Sequence, residues 1–191
     1  PNAILAAFET GDILFGDEIP TEEIDAWKNK PEFYLEGQLG TYYVSFNTQK
    51  APFDNAKVRA AFSLAIDREF IVKNIGKAGQ IPAGAFVSTG LSDYDPTKEF
   101  REVGGNYIDP TAAGFAANLA KAKELMKEAG YENGIGFPTV EYIYNSESTG
   151  HKLIAEALQQ MWGELGVDVT LASQEWATFL NTRKNGEYQI A

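Results

Sequence analysis

The stretch LGTYYVSFNTQKAPFDNAKVRAAFSLAIDREFIV, residues 39–72, combines an extended segment with two helices. Residues 41–46 are rich in aromatic and β-branched side chains, which is typical of a strand. Asp54-Asn55 then caps a helix with one apolar face, formed by Val58, Ala61, Phe62 and Ala65. Asp67 caps a second helix over residues 68–75, and Gly76 follows its end. The stretch therefore predicts a strand that leads into two short, packed helices.

In the second half of the chain, helical and extended patterns alternate. Helices are predicted over residues 111–129, 149–165 and 174–184, and strands over 139–144 and 167–171. The helix over 149–165 has an expected buried face of Leu153, Ala157, Leu158, Met161, Trp162 and Leu165. Alternation of this kind indicates an α/β fold with a mainly parallel sheet flanked by helices.

The first half is less regular. Residues 2–10 have helical spacing, 13–15 and 33–35 are predicted as short strands, and a helix is expected to start at Pro20-Thr21. Residues 76–110 are rich in glycine and proline, and a loop of this length inside a domain is usually functional or mobile. We expect residues 1–191 to form one α/β domain.

Composition excludes several classes of function. The net charge of −11 argues against binding a nucleic-acid backbone, and cysteine is absent. The only histidine is His151, and no serine lies in the nucleophile-elbow pattern of a Ser-His-acid triad. The residue spacings of nucleotide-binding loops and of EF-hands are also missing. The sequence therefore predicts neither an enzyme nor a metal or cofactor site, and no stretch is apolar enough to span a membrane.

Aromatic and amide side chains stand out on the predicted strands and helix starts. They are Tyr42, Tyr43, Phe46, Asn47 and Trp176. Tyrosine and tryptophan offer large rigid faces with one polar group, which suits a recognition surface. Filling the core explains any one of them equally well.

Residues 39–72 resemble the hallmark stretch of extracytoplasmic oligopeptide-binding proteins of ABC importers. The family pattern is Thr-Tyr-Tyr, a short strand ending in Asn, Lys-x-Pro-Phe-x-Asp/Asn, Val-Arg and then Asp-Arg. Here it corresponds to Thr41-Tyr42-Tyr43, Asn47, residues 50–55, Val58-Arg59 and Asp67-Arg68. GDILFGDEIP (11–20), KAKELMKEAGY (121–131) and QEWATFLNTRKNGEYQIA (174–191) also agree in order and spacing.

The resemblance implies a two-lobed protein of the type II periplasmic-binding-protein class. Residues 1–191 correspond to one contiguous α/β lobe, with the C-terminal part of the lobe missing. The family's Arg, Trp and Asp that contact the peptide lie beyond the segment that matches EYQIA. We therefore expect an interrupted strand, with an exposed sheet edge at residues 187–191 that is prone to self-pairing.

The resemblance also implies binding residues. Trp176 resembles a tryptophan that lines a side-chain pocket, and Tyr43 matches a pocket tyrosine. Asn47 ends the short strand beside it. The remaining candidates, Lys77, His151 and Arg183, match basic positions that neutralise the carboxylate end of peptides of different lengths.

By resemblance, the function is that of a peptide-binding lobe of a solute-binding protein. Its implied partners are an oligopeptide and, through the full-length protein, ABC permease subunits. Its implied location is extracytoplasmic, with any membrane anchor outside this segment. Other members bind nickel complexes, haem, opines or oligosaccharides, so these ligands remain open. A pheromone or signal-peptide sensor and a chaperone-like use of the lobe also remain open.

Overall fold

The computed structural model describes residues 1–191. Its α-helices are α1 Asn2–Thr10, α2 Ile24–Trp27, α3 Ala56–Leu64, α4 Arg68–Ile71, α5 Phe100–Gly104, α6 Ala112–Glu128, α7 Thr149–Gly163 and α8 Trp176–Lys184. Its strands are β1 Val140–Asn145 and β2 Val169–Gln174. Short 3-10 helices lie at Thr21–Glu23 and Glu132–Gly134, and a π-helix at Val72–Gly76 continues α4. No helix has the length and apolar content needed to cross a bilayer.

The sheet is mixed, with three parallel members and one antiparallel member. β1 pairs in parallel with β2 along its whole length, so that Val140 lies opposite Val169. On the other side of β1, Ile190 forms a parallel bridge to Tyr142 and an antiparallel bridge to Phe46. The order across the sheet is therefore β2, β1, residues 189–191 and residues 45–47. The predicted α/β fold with a mainly parallel sheet is confirmed.

Residues 189–191 lie inside this sheet, so the expected exposed edge at residues 187–191 is wrong. On one side, the Ile143 amide donates to the Ile190 carbonyl at 3.0 Å. On the other, the Ala191 amide donates to the Ser45 carbonyl at 3.0 Å, and Ile190 is fully buried. The covering segment, residues 45–47, is distant in sequence and runs antiparallel, so no local pattern reveals it.

Side-chain caps begin the helices that the sequence predicted. The Asn55 side chain accepts from the Lys57 amide at 2.9 Å, and the Asp67 side chain accepts from the Phe70 amide at the same distance. Thr111 caps α6 in the same way, through the Gly114 amide. Each cap satisfies an amide that the first helical turn leaves without a partner.

The core forms where α3, α6 and α7 pack on one face of the sheet. The predicted apolar face of α3 is confirmed, because Val58, Ala61, Phe62 and Ala65 are all fully buried. Trp162 of α7 is also fully buried, and its indole Nε1–H donates to the Phe62 carbonyl at 2.9 Å. This buried bond fixes α7 against the end of α3.

Five local predictions need correction. The predicted strands at 13–15 and 33–35 are absent because no neighbouring segment pairs with them, and within 41–46 only the last residues join the sheet. Leu153 is 40% exposed, since the buried face of α7 is centred on Ala155 and Leu158. The helix predicted over 68–75 is instead α4 followed by a π-helix that includes Gly76, and the left-handed residue after it is Lys77.

Candidate functional site

The carboxyl edge of the sheet collects most of the predicted binding residues. β1 ends at Asn145, directly opposite Gln174 at the end of β2. α7 and α8 both begin just beyond these strand ends. Because residues 45–47 run antiparallel, the preceding residues 41–44 leave the sheet at the same edge. In open α/β sheets this edge is the usual place for a ligand.

Trp176, the first residue of α8, presents its ring at this edge. Trp176 is 45% exposed, whereas Trp27 and Trp162 are buried. The Phe179 ring stacks beside it, with centroids 6.0 Å apart and planes inclined by 25°. The Glu175 carboxylate caps the helix by accepting from the amides of Ala177 and Thr178. The ring is therefore held on a capped helix start and remains open to solvent on one face.

Arg183 continues the same face of α8 toward the antiparallel segment. Its guanidinium carbon lies 5.5 Å from the centroid of the Phe179 ring. Its Nη2 donates to the Ser45 hydroxyl at 3.5 Å. Helix positions three or four apart share a face, so Trp176, Phe179 and Arg183 form one aromatic and cationic row.

Tyr43 lies on the other side of this edge, beside the loop 77–99. Tyr43 is 53% exposed, and its ring meets the Phe86 ring edge-to-face, with centroids 5.1 Å apart. The Thr41 hydroxyl donates to the Phe86 carbonyl at 2.7 Å and fixes the loop beside the strand. Sequence reasoning missed Phe86. The only signal for it was the glycine- and proline-rich character of its loop.

His151 stands in the first turn of α7 and contacts Tyr42. Its Nδ1 lies 3.0 Å from the Tyr42 hydroxyl, and the two rings stack with centroids 5.6 Å apart. Burial lowers the pKa of His151, and the nearby Glu18 carboxylate acts in the opposite direction. A lowered pKa favours the neutral imidazole, which weakens the expected role of His151 as a cation.

The phenol of Tyr142 lies beside that of Tyr42. Burial raises the pKa of Tyr42, and a hydrogen bond from Tyr142 partly offsets that rise. Burial raises the pKa of Tyr142 far above that of an ordinary tyrosine, and the neighbouring Tyr42 adds to the effect. Both hydroxyls therefore stay protonated at neutral pH and act as hydrogen-bond groups.

Lys77 is displaced from the carboxyl edge and is already paired. Its Nζ donates to Asp25 Oδ2 at 2.8 Å, and Lys28 binds the other oxygen of that carboxylate at 2.8 Å. The hydrogen bond from Lys28, followed by that from Lys77, lowers the pKa of Asp25 to about 2. The carboxylate is therefore ionised throughout the neutral range.

Asn47 has its polar atoms committed within the chain. It is 8% exposed, and its Nδ2 donates to the carbonyls of Gly186 and Tyr188 at 3.0 and 2.9 Å. Its Oδ1 accepts from the Gln49 amide at 3.1 Å. Both amide hydrogens are used, which favours a structural role over the ligand contact expected from the sequence.

The structure thus places Tyr43, Trp176 and Arg183 around one edge, with His151 at the adjoining start of α7. It leaves Asn47 in the turn region behind that edge and Lys77 against α2. No group of three or more His, Cys, Asp or Glu side chains is arranged to hold a metal ion. A cavity of about 520 Å³ lies away from the carboxyl edge and is lined by Lys50, Ala51, Glu141, Glu187, Tyr188 and Gln189. Another, of about 220 Å³, lies between the ends of α6 and α7.

Comparison with known proteins identifies the family of the chain. All 191 residues match the family model described as bacterial extracellular solute-binding proteins, family 5 Middle. The dipeptide-binding protein DppE of Bacillus subtilis (strain 168) is 39% identical over 178 residues, which cover 91% of this chain and 31% of that protein. The chain spans about a third of the length of the curated relatives it matches.

Solved structures agree with the fold. Burkholderia pseudomallei OppA matches with a TM-score of 0.85 at 26% identity, covering 100% of this chain and 36% of that one. Haemophilus influenzae OppA in complex with RPPGFSPFR matches with a TM-score of 0.80 at 30% identity, again covering 100% of this chain and 36% of the other. The chain therefore belongs to the bacterial extracellular solute-binding proteins of family 5, and it corresponds to their middle segment.

Proposed function

We propose that this chain is the peptide-binding lobe of an extracytoplasmic solute-binding protein that delivers oligopeptides to an ABC importer. The main observation behind the proposal is that exposed aromatic residues lie beside a backbone segment without backbone hydrogen bonds at the carboxyl edge. Trp176 and Tyr43 are each about half exposed there. A similar chain, H. influenzae OppA, has been solved with the peptide RPPGFSPFR.

The backbone of residues 41–44 is open to a ligand. None of these four residues donates or accepts a backbone–backbone hydrogen bond, although the next residue, Ser45, is paired in the sheet. An extended peptide can pair with such a segment through its main chain, which provides affinity that does not depend on peptide sequence. The neighbouring rings would then contact the peptide's side chains, and bridging water would accommodate different ones.

The exposed surface supports a role as one lobe of a larger receptor. The accessible area is 11441 Å², whereas a compact monomer of 21.0 kDa exposes about 9,000 Å². Large apolar side chains such as Leu14, Phe15 and Tyr34 are more than three-quarters exposed. In the receptor we propose, a second lobe covers part of this surface and closes over the peptide by a hinge. Its permease contacts and its extracytoplasmic location belong to the same proposal.

Fluorine NMR of the 191-residue chain labelled with 5-fluorotryptophan tests this function. The chain has three tryptophans, and the variants Trp27→Phe, Trp162→Phe and Trp176→Phe assign their resonances. Tri- to pentapeptides should shift the Trp176 resonance and leave the two buried indoles unchanged. A Trp176 resonance that no peptide moves would contradict the proposal.

Calorimetry tests the claim that the chain is only half of a clamp. A single lobe supplies one wall of the site, so we expect binding too weak for a measurable heat at micromolar concentration. Micromolar affinity for a peptide would show that this chain is sufficient by itself and would overturn the two-lobe interpretation.

A further inference from the structure

The segment 41–44 at the carboxyl edge is held by its side chains. No backbone–backbone hydrogen bond reaches these four residues, so no strand ladder sets their conformation. Thr41 donates from its hydroxyl to the Phe86 carbonyl at 2.7 Å, and the Tyr43 ring contacts the Phe86 ring. Val44 packs against the core at the end next to the sheet. The remaining residue of the segment, Tyr42, makes the contact considered next.

Tyr42 connects this segment to α7 and to the sheet. Its hydroxyl lies 3.0 Å from His151 Nδ1, and the two rings stack with centroids 5.6 Å apart. The phenol of Tyr142, a buried residue of β1, lies beside that of Tyr42. The Tyr42 side chain therefore contacts both a buried strand and the first turn of a long helix, although its own backbone is unpaired.

His151 can hold another side chain because α7 fixes its own position. It lies in the first helical turn, where the Thr149 hydroxyl donates to Glu22 Oε2 at 3.2 Å. Near its other end, α7 is anchored by the buried Trp162. Burial lowers the pKa of His151, which favours the neutral imidazole. In the neutral tautomer with its hydrogen on Nε2, Nδ1 accepts a hydrogen bond from the Tyr42 hydroxyl.

We propose that His151 is a positioning residue of the peptide site, which acts through the Tyr42 hydroxyl to set the conformation of residues 41–44. The inference rests on the proposed function, in which this segment pairs with the peptide main chain. It gives His151 a role other than the neutralisation of a peptide carboxylate that the resemblance implies. Because main-chain pairing is common to all peptides, this role does not depend on peptide length or on the charge at the C-terminus.

Four variants separate positioning from charge. His151→Ala removes the contact with Tyr42, whereas His151→Asn keeps a hydrogen-bonding atom on Cγ, where Nδ1 stands in histidine, and is never charged. Tyr42→Phe removes the hydroxyl and keeps the ring. The control Tyr94→Phe removes the hydroxyl of a fully exposed ring. Each protein is titrated with tri-, tetra- and pentapeptides as free acids and as C-terminal amides, and dissociation constants come from the Trp176 fluorine resonance.

His151→Ala and Tyr42→Phe should each weaken the binding of every peptide by about two- to tenfold, the effect of one lost hydrogen bond. An acid and its amide should lose affinity equally. The double variant should bind about as well as either single variant, since both changes remove the same contact. His151→Asn should retain most of the parent affinity. In the ligand-free protein, the amide shifts of residues 41–44 should move in His151→Ala and stay closer to the parent values in His151→Asn.

The outcomes separate this role from the peptide function. If His151→Ala weakens the acids and spares the amides, His151 acts as a cation on the peptide carboxylate and the positioning role is overturned. It is also overturned if Tyr42→Phe binds peptides as Tyr94→Phe does, or if His151→Asn loses as much affinity as Tyr42→Phe. These last comparisons hold even if His151→Ala does not fold. In each case the peptide function stands. If no peptide shifts the Trp176 resonance in any protein, the parent included, the peptide function fails and the positioning role fails with it.

Discussion

The Asn47 side chain donates from Nδ2 to the Tyr188 carbonyl at 2.9 Å, a bond that joins residues 141 positions apart in the chain. The same nitrogen donates to the Gly186 carbonyl at 3.0 Å. One amide therefore holds the turn after α8 against the segment that ends the Thr-Tyr-Tyr strand. This turn leads directly into residues 189–191, so the two bonds help to place Ile190 between β1 and Phe46.

Replacing Asn47 tests this structural role. Asn47→Ala should lower the free energy of unfolding by about 1–3 kcal/mol, because carbonyls in a part-buried region lose their donor. The matched control is Asn74→Ala, whose side chain donates to the Phe70 carbonyl at 3.0 Å within an exposed helical turn. Urea denaturation measures both. A loss in Asn47→Ala no greater than that in the control would contradict the structural role.

The buried bond between Trp162 and the Phe62 carbonyl provides a second test. Trp162→Phe leaves that carbonyl without a donor and opens space in the core, so we expect a loss of about 2–4 kcal/mol in the free energy of unfolding. Trp176→Phe serves as the control, since its half-exposed ring should contribute less than about 0.5 kcal/mol. Equal urea midpoints for the two variants would disagree with the packing described here.

The Trp176 ring at the carboxyl edge should contribute specifically to peptide binding. Trp176→Ala should weaken peptide binding by about tenfold or more, because an aromatic ring is a frequent energetic centre of a recognition surface. Binding is followed through amide shifts of residues 41–44 in nitrogen-labelled protein. Tyr94→Ala removes a fully exposed ring from the long loop and should leave the affinity unchanged. Equal losses in the two variants would show that the Trp176 ring is not a specific contact.

The lowered pKa of His151 gives stability a defined pH dependence. Burial keeps the folded-state pKa below the ordinary value of 6.5, so the unfolded chain binds more protons in the window beneath that value. The contribution of His151 to the free energy of unfolding is fully present above the pKa that His151 has in the unfolded chain. It declines as the pH falls through that value. His151→Gln lacks the titrating group, so its stability should fall less between pH 7.5 and pH 5.5. Parallel curves from urea denaturation would contradict this.

Hydrogen exchange tests the interior position of residues 189–191. The amides of Ile190 and Ala191 donate to the carbonyls of Glu141 and Ser45, so both should exchange slowly. The amides of Tyr188 and Gln189 have no backbone acceptor and provide an internal comparison. Equally fast exchange at all four positions would restore the exposed edge that the sequence suggested.

Local sequence patterns identified the helices whose capping residues lie beside them in the chain. Asn55 and Asp67 cap the helices that follow them, and Thr111 caps α6, because a cap and its helix are neighbours in sequence. The short strands predicted at 13–15 and 33–35 did not form. A strand needs a partner, and apolar residues such as Leu14 cannot by themselves supply one. The prediction for Leu153 failed for a related reason, since the choice of buried face on α7 depends on what packs against it.

The same difference between local patterns and distant contacts applies to the candidate site. Residue character pointed to Tyr43 and Trp176 as recognition residues, and the family resemblance added Arg183 as a candidate. The sequence could not reveal Phe86, which reaches the site only because Thr41 binds its carbonyl across 45 positions of sequence. Nor could it show that Lys77 is neutralised by Asp25, 52 positions away.

The sequence by itself determined the family, the capped helices, the parallel β1–β2 pair and the residue types available for recognition. These follow from periodicity, capping and motif spacing, which act over a few residues. Only the tertiary structure decided that residues 189–191 are covered by 45–47, that Asn47 faces inward and that Lys77 is already paired. Those outcomes depend on contacts between segments 50 to 140 residues apart, and no local pattern encodes which distant group will satisfy a given donor or charge.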